Sequence, residues 1–375
     1  MKICHLTSVH QSMDTRILIK ECQSLAEAGH SVSYIVPNAE SRTELGVQII
    51  GITSKEEKPL KRMRITTSKV LKKAIELDAD LYHFHDPELI PVGLKLKKRG
   101  KLVVYDVHED LPQQILSKQW IPKVLRKGIS FASEKMERYS SKKFDAIVTA
   151  TPHINKRFKK YNSMSTTIHN YPLLGELMGQ DNKPVTFESE TTFKVVYLGG
   201  IYLLRGIKEM IHAVEKVNKK TDLTFILGGS FAPPSLLDEV KLIPGWKYVD
   251  FRGYLNRDEV KVSLEEASAG LVLLHPEPRF IVSYPIKMFE YMSAGIPVIA
   301  SNFPLWKEIV ETNECGICVD PLNIEEVSNA MIWLKENPER AKQMGESGRR
   351  AIENSYNWEK ESERLIDLYS SLKHK

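Results

Sequence analysis

Cysteine is scarce in this chain, four residues in 375. That is too few for a disulfide framework at this length and points to the reducing cytosol. Two of them form Cys315-Gly-Ile-Cys318. A zinc ribbon needs a second such pair, and a redox pair opens a helix, whereas Ile317 and Val319 make this segment read as a strand. Long apolar runs are missing too: none approaches the ~18–20 residues that cross a bilayer. The start, Met1-Lys-Ile-Cys-His-Leu-Thr7, lacks a charged-then-apolar leader with a small-residue cleavage site, and reads as a first β-strand. No internal repeat with a period of about 20–50 residues is visible. The basic tracts described below come with no nucleic-acid recognition motif, which argues against a nucleic-acid partner.

What is present is ordinary in bulk and uneven in detail. Apolar residues make up 42% and charged residues 27%, as in soluble globular proteins. At 375 residues, two domains are expected. The net charge of +5 hides an asymmetry: residues 1–175 hold 29 Lys/Arg against 18 Asp/Glu, and the remainder holds 24 against 30. Lys58–Lys73 has seven basic residues and no acidic one. In Lys118–Lys143, Trp120, Ile121, Leu125 and Phe131 alternate with Lys123, Arg126, Lys127, Lys142 and Lys143. Either tract alone reads equally as a solvated helix face. Both in one half favour an anionic membrane surface, which makes the protein a peripheral one at the inner face of the membrane.

The pattern along the chain is α/β. Apolar runs at Ile3–Thr7, Ser31–Val36, Leu81–His85, Leu102–Tyr105 and Ala146–Ala150 read as buried strands. Segments of helical spacing lie between them, Ile17–Ala28 the clearest, and such alternation predicts a parallel sheet with helices on both faces. The polar, aperiodic stretch Gly175–Thr192, with Pro184, reads as a linker. A second alternation follows it: strands at Lys194–Leu198, Leu223–Gly228, Val249–Phe251, Gly270–Leu274, Val298–Ala300 and Ile317–Val319, and helices at Ile207–Lys219, Leu236–Leu242, Asp258–Ala267, Ile286–Ala294, Leu305–Val310 and Ile324–Glu336. The expected domains are therefore 1–180 and 190–355. A final helix, Trp358–Leu372 within 356–375, has Leu365, Leu368 and Leu372 in one stripe to pack on either domain. Two doubly wound domains would face each other across a cleft, with ligands at the carboxyl ends of the strands.

The most informative segment is Ser283-Tyr-Pro-Ile-Lys-Met-Phe-Glu-Tyr-Met-Ser-Ala-Gly-Ile-Pro-Val-Ile-Ala300. Pro285 suits a first helical turn, where a missing N–H is harmless. The unpaired N–H groups of that turn, around Ser283, Tyr284 and Ile286, together with Lys287, favour an anion such as a diphosphate. Glu290 follows Lys287 by three residues and shares its helix face. A carboxylate one turn beyond a phosphate site accepts from paired hydroxyls, as a ribose offers. Phosphate and ribose together mean a nucleotide.

These motifs resemble the family 4 glycosyltransferases, retaining enzymes of the GT-B fold, over nearly the whole chain. In that family a Glu-x7-Glu segment precedes a small-Gly-x-Pro-Val turn, and Glu290 with Ala294-Gly-Ile-Pro-Val298 matches the second Glu and the turn. The donor-phosphate motif Gly-Arg-x4-Lys-Gly matches Gly199-Gly-Ile-Tyr-Leu-Leu-Arg-Gly206, which assigns Gly199, Gly200 and Arg205 to the donor. Asp250-Phe-Arg-Gly-Tyr254 matches the loop that contacts the base, through Arg252, Gly253 and Tyr254; Glu308 and Gly316–Pro321 fit as well. Val107-His-Glu-Asp110 corresponds to the strand-end His near the donor sugar. Asp14-Thr-Arg-Ile17 and His83-Phe-His-Asp-Pro-Glu-Leu89 are similar to a subgroup associated with surface-polysaccharide clusters.

Two positions depart from the family pattern. Val282 replaces the first Glu, and Gly200 replaces the Arg of Gly-Arg. Lys287, where the family is commonly apolar, with Arg205 would restore the cationic clamp on the departing diphosphate. The resemblance implies His108 and Arg205 as catalytic residues, and the restored clamp adds Lys287. It places Asp14, Arg16, His85 and His108 on the acceptor side. His108 would position the transferred sugar or the acceptor hydroxyl; Asp14 and Arg16 form either a local ion pair or an acceptor contact. His83, His85 and Asp86 imitate a metal-ligand set, but the resemblance gives a metal-free reading. With no convincing Asp-x-Asp motif, no metal or other cofactor is expected. The implied activity moves a hexose from a UDP- or GDP-sugar to a lipid-linked or polysaccharide acceptor. The rivals are a nonhydrolysing nucleotide-sugar epimerase, which would need no acceptor, and a GT-B binding module whose site has decayed.

Overall fold

The computed structural model describes residues 1–54, 59–118, 121–177 and 193–373. Lys58, Trp120 and most of the expected linker, Pro184 included, lie outside the described residues. The chain divides into two compact units, Met1–Asn170 with Trp358–Lys375, and Tyr171–Asn357.

The first unit is built on eight strands: β1 (Lys2–Leu6), β2 (Ser31–Pro37), β3 (Arg42–Glu44), β4 (Val47–Ile52), β5 (Leu81–Phe84), β6 (Leu102–Val107), β7 (Ala146–Thr149) and β8 (Ser165–Thr167). Their order is β3-β4-β2-β1-β5-β6-β7-β8. Only β3 runs antiparallel, against β4. The central strands are buried on both faces, which is why they read as continuous Val/Ile/Leu/Tyr runs rather than alternating ones. Sequence reading missed β3, β4 and β8, short or outer strands whose pairing depends on a neighbour supplied by the fold.

The expected helix Ile17–Ala28 is corrected in kind. It opens at Thr15, runs as a π-helix to Cys22 and continues as an α-helix over Gln23–Glu27. Asp14 caps it by accepting from the N–H groups of Arg16 and Ile17. The wide turns bring Arg16, Lys20 and Glu21 to the buried side beside Ile17, Leu18 and Cys22; such segments concentrate at functional sites. The last helix, Trp358–Lys373, belongs to this unit. It buries Leu365, Leu368, Tyr369 and Leu372, and the Trp358 indole N–H donates to Ser24 Oγ at 2.9 Å.

The second unit has six parallel strands: β9 (Phe193–Leu198), β10 (Leu223–Gly228), β11 (Val249–Gly253), β12 (Ala269–Val272), β13 (Val298–Ser301) and β14 (Gly316–Val319). Their order, β11-β10-β9-β12-β13-β14, is that of a Rossmann sheet. Its direction of progression reverses between β9 and β12, the place where such sheets bind ligands. Helix Ile207–Asn218 covers one face through Ile207, Met210, Ile211, Val214 and Val217. Helix Ile286–Ala294 covers the other through Met288, Phe289, Tyr291 and Met292.

One contact fixes that helix at the switch point. A Cβ on Gly270 of β12 would lie 2.1 Å from the Tyr291 ring, so the ring seats on a bare Cα. The Tyr291 hydroxyl accepts from the Leu198 N–H at 3.2 Å, at the end of β9. Among the described residues no helix is long and apolar enough to cross a membrane. Cys318 lies in β14 as expected, and burial pushes both Cys315 and Cys318 up to about 12, so neither thiol is activated.

Candidate active site

The donor half is assembled where β9 ends. Gly199 leaves the strand at φ 116°, and the Lys287 ammonium comes so close that an added Cβ would meet its Nζ at 2.9 Å. Only a glycine allows both the backbone angle and this approach. The chain then makes a short 3-10 turn, Leu203–Arg205, and enters helix Ile207–Asn218 through Gly206 at φ 72°. Arg205 reaches back, donating from Nη1 to the Gly200 carbonyl at 3.0 Å, with its guanidinium 5.0 Å from the Tyr202 ring centre. A Cβ on Gly200 would meet the Tyr202 ring at 2.7 Å and Arg205 Nη1 at 3.4 Å. Arg205 thus packs beside the position where the family carries an Arg and this chain has Gly200.

Lys287 sits in the first turn of helix Ile286–Ala294 with its ammonium 4.9 Å from the Tyr197 ring centre. Burial, and then the Arg205 cation, pull its pKa down to about 7, with Glu290 opposing them. The Arg205 cation close to Lys287, at the start of a helix, is an arrangement suited to an anion. Pro285 is corrected by one position: it is the residue before the helix, and the first turn begins at Ile286. Glu290, one turn further on, is engaged by Arg257 Nη1 at 2.6 Å, and Arg257 also meets Glu176 at 2.8 Å. Sequence reading missed Arg257. Its signal was its place after Asn256, which with Glu259 forms a capping box and so starts helix Arg257–Glu265 there.

Other expected donor residues are more varied. Ser283 Oγ donates to the Phe280 carbonyl and the Ser283 carbonyl accepts from Trp306 Nε1, so this residue anchors the loop. Tyr284 stacks on Phe289, ring centres 6.2 Å apart, and Ile286 is exposed. The Arg252 guanidinium is held in its own loop by Asp250, Ser263 and Glu266. Gly253 is left-handed, at φ 68°, and its carbonyl accepts from the Gly229 N–H. Tyr254 is 78% exposed. Val282 closes the short helix Pro278–Ile281, whose N-cap is Glu277.

In the first unit the acceptor-side residues converge on one buried polar cluster. His5 of β1 and His83 of β5 are direct register partners, and His85 follows on the same face. His5 Nδ1 lies 2.9 Å from His85 Nε2, and His85 Nδ1 lies 3.2 Å from Asp106 Oδ2. His108, half-buried at the cluster's edge, contacts Asp106 Oδ2 through Nε2 at 2.8 Å. Arg16 is corrected: it does not pair with Asp14. It grips both oxygens of Asp106 at 3.0–3.1 Å, lies 3.0 Å from Glu21 and donates to the Ile168 carbonyl, leaving no edge for an acceptor. Asp14 instead pairs with His10 at 2.9 Å and is held at about 2; burial, the largest single influence, opposes this, and the hydrogen bond and charge of His10, the Ile17 N–H and His108 together outweigh it.

Asp86 is also corrected, because it does not join His83 and His85. It accepts from Thr7 Oγ1 and from the N–H and hydroxyl of Ser8, tying the loop after β1 to β5. His5 and Glu21 take its place, and these two with His83 and His85 could hold a metal ion. Both were legible in part. His5 interrupts an apolar strand, and Glu21 falls four residues after Ile17 and four before Leu25, on the apolar stripe.

Two Rossmann-like units, one with paired cations and a carboxylate at its switch point, are the architecture of a GT-B glycosyltransferase. Residues 15–170 match the model of the glycosyltransferase family 4 proteins, and residues 179–351 match that of the glycosyl transferases group 1. The chain belongs to the family 4 glycosyltransferases. It is 20% identical over 295 residues to an MMP alpha-(1->4)-mannosyltransferase of Mycolicibacterium hassiacum, covering 76% of this chain and 69% of that one. The fold matches sucrose-phosphate synthase from Thermosynechococcus elongatus at a TM-score of 0.78, with 18% identity over 99% of both chains. It also matches Anabaena HepE, solved with UDP-glucose, at 0.74, with 15% identity over 99% of this chain and 100% of that one.

Proposed function

We propose that the protein transfers a hexose, with retention, from a UDP- or GDP-sugar to a hydroxyl of a lipid-linked or polysaccharide acceptor. The observation that carries this reading is the convergence of Arg205 and Lys287 on the start of helix Ile286–Ala294, one turn before Glu290. As the bond from sugar to diphosphate breaks, negative charge grows on the leaving group. Fixed cations and helix N–H groups stabilise that charge without solvent reorganisation. Glu290 receives the ribose hydroxyls, exchanging its contact with Arg257 for them. His108, oriented by Asp106, positions the transferred sugar or the acceptor hydroxyl.

The leaving group needs no divalent cation in this arrangement, since the two side chains supply the charge. Strict loss of activity in EDTA, rescued by Mg²⁺, would contradict that. The acceptor-side unit lies at the inner face of the membrane through helix Lys123–Ser141. There Val124, Leu125 and Phe131 are 89%, 53% and 60% exposed among lysines. An amphipathic face of this kind suits an anionic bilayer rather than a nucleic acid. Flotation with anionic but not neutral vesicles is the expected result.

A thermal-shift panel of UDP-, GDP- and ADP-sugars tests the donor assignment. About 100-fold excess over Kd should stabilise the protein by about 2.7 kcal/mol. Transfer of labelled sugar into a lipid or glycan fraction, with retained anomeric configuration, tests the rest. Stabilisation by no nucleotide sugar sinks the reading.

A further inference from the structure

We propose that the first unit binds a zinc ion on four buried side chains, His5, Glu21, His83 and His85, in a closed site separate from the donor chemistry. All four are fully buried. They come from three places in the sequence: β1, the π-helical segment Thr15–Cys22, and the end of β5. Donors bound at about 2.0–2.1 Å to a tetrahedral zinc lie about 3.3 Å from one another. Here Glu21 Oε2 is 3.9 Å from His5 Nδ1, 3.9 Å from His83 Nδ1 and 4.0 Å from His85 Nε2, and His5 Nδ1 is 2.9 Å from His85 Nε2. All four donor atoms lie within 4.8 Å of one another, so the set contracts onto one ion by side-chain adjustment.

The carboxylate gives the second indication. Glu21 Oε1 is met by the Arg16 cation, whereas Oε2 has no hydrogen-bond partner among the described residues, although the side chain is sealed from water and Oε2 faces three imidazole nitrogens. An acceptor left so costs stability, unless a cation belongs there. Arg16 meets only the other oxygen, Oε1.

The surroundings of the imidazoles suit ligation. His85 presents Nε2 to the cluster and Nδ1 to Asp106 at 3.2 Å, the carboxylate–histidine pairing that fixes the tautomer of a metal-bound imidazole. His5 presents Nδ1, while its Nε2 lies 3.4 Å from the Tyr369 hydroxyl. That hydroxyl lies 2.7 Å from His83 Nδ1, and an ion would take its place there, leaving it to His5. Imidazoles bind as neutral ligands and Glu21 as a carboxylate, so uptake of the ion releases any proton that Glu21 holds. The neighbouring group His85, Asp106 and His108 is the weaker alternative, because Arg16 already occupies both Asp106 oxygens. Three nitrogens and one carboxylate in a closed tetrahedron favour zinc over hard, oxygen-seeking cations.

The test uses full-length protein without a histidine tag. Elemental analysis of the isolated protein should find about one zinc per chain, as a closed four-ligand site requires. Protein stripped with a chelator should regain its Tm on adding Zn²⁺ alone, and should show four-coordinate d–d bands with Co²⁺. Glu21→Gln and His83→Asn should abolish uptake. Asp106→Asn should weaken zinc binding about 10–100-fold. Folded wild-type protein that holds no metal, and whose Tm ignores Zn²⁺, overturns the proposal and leaves a network of neutral imidazoles with a protonated Glu21. Equal uptake by Glu21→Gln overturns it as adventitious binding, and a different first-row ion at these donors overturns the choice of zinc. The metal content of the wild type decides the matter even where variants fail to fold.

Discussion

Lys287 combines a depressed pKa, a glycine-gated approach to Gly199 and a neighbouring cation, and these together set its behaviour. Lys287→Ala and Arg205→Ala should each lose about 2–4 kcal/mol of stabilisation of the developing diphosphate charge. Initial-rate kinetics would show this as a lower kcat or a higher donor KM, and unchanged kinetics would remove either residue from the clamp. A pH dependence follows. In the free enzyme Lys287 loses its proton near pH 7, and a bound diphosphate restores it. Donor affinity should therefore weaken by up to about tenfold per pH unit as pH rises above 7. Lys287→Arg, charged throughout, should flatten the profile. Folding stability runs the other way. Between about pH 7 and 10.5 the unfolded chain holds the proton that the folded one lacks, so this group's penalty, full below that window, fades as pH rises through it. Helix spacing and a loop motif, both local, singled out Lys287, Arg205 and Glu290 in the sequence. The partners of Arg16 and Arg252 were not legible there, because an arginine's partners come from elsewhere in the chain.

At the level of elements, the donor site depends on how helix Ile286–Ala294 is seated. Tyr291 packs on the bare Cα of Gly270 and hydrogen bonds the end of β9. Gly270→Ala forces that ring outward and should cost about 1–3 kcal/mol, measured by urea unfolding. Because the same movement displaces Lys287 and Glu290, nucleotide-sugar affinity should fall with it. Retained affinity in a destabilised variant would show that the ring serves packing alone. Helix Arg257–Glu265 needs its Asn256–Glu259 box to present Arg257 to Glu290, and Asn256→Ala should cost about 1 kcal/mol. Most strands and helices were legible because each carries a complete period of buried residues. The π-helical segment was not: its spacing resembles an α-helix, and only the cap at Asp14 and the cluster it covers reveal the wider turn.

Over the whole molecule, each unit closes its own core. The apolar clusters of the second unit draw on residues between Tyr171 and Tyr356. A fragment spanning 171–357 should therefore fold alone and keep nucleotide-sugar binding while losing transfer; calorimetry with the sugar nucleotide identified for the full chain would check it. The first unit is different, because it needs the chain's last helix. Deleting Trp358–Lys375 removes Trp358 from Ser24, Glu361 from the His169 N–H and Tyr369 from His83. The first unit of that variant should lose its cooperative melting transition while the second keeps its own. Two separate transitions of unchanged temperature would show the helix to be dispensable.

The sequence by itself determined the alternation of strand and helix, and with it two Rossmann-like sheets, the glycine turn at Gly199–Gly206 and the Lys287–Glu290 spacing, because these are set by periodicity and by residues a few positions apart. Tertiary structure alone decided that Arg205 turns back onto the Gly200 carbonyl, that Arg257 holds Glu290, and that His5 and Glu21 rather than Asp86 accompany His83 and His85. The reason is physical. A buried charge or imidazole is defined by the groups that replace its water, and in this chain those groups come from strands and helices up to 364 positions away, as between His5 and Tyr369.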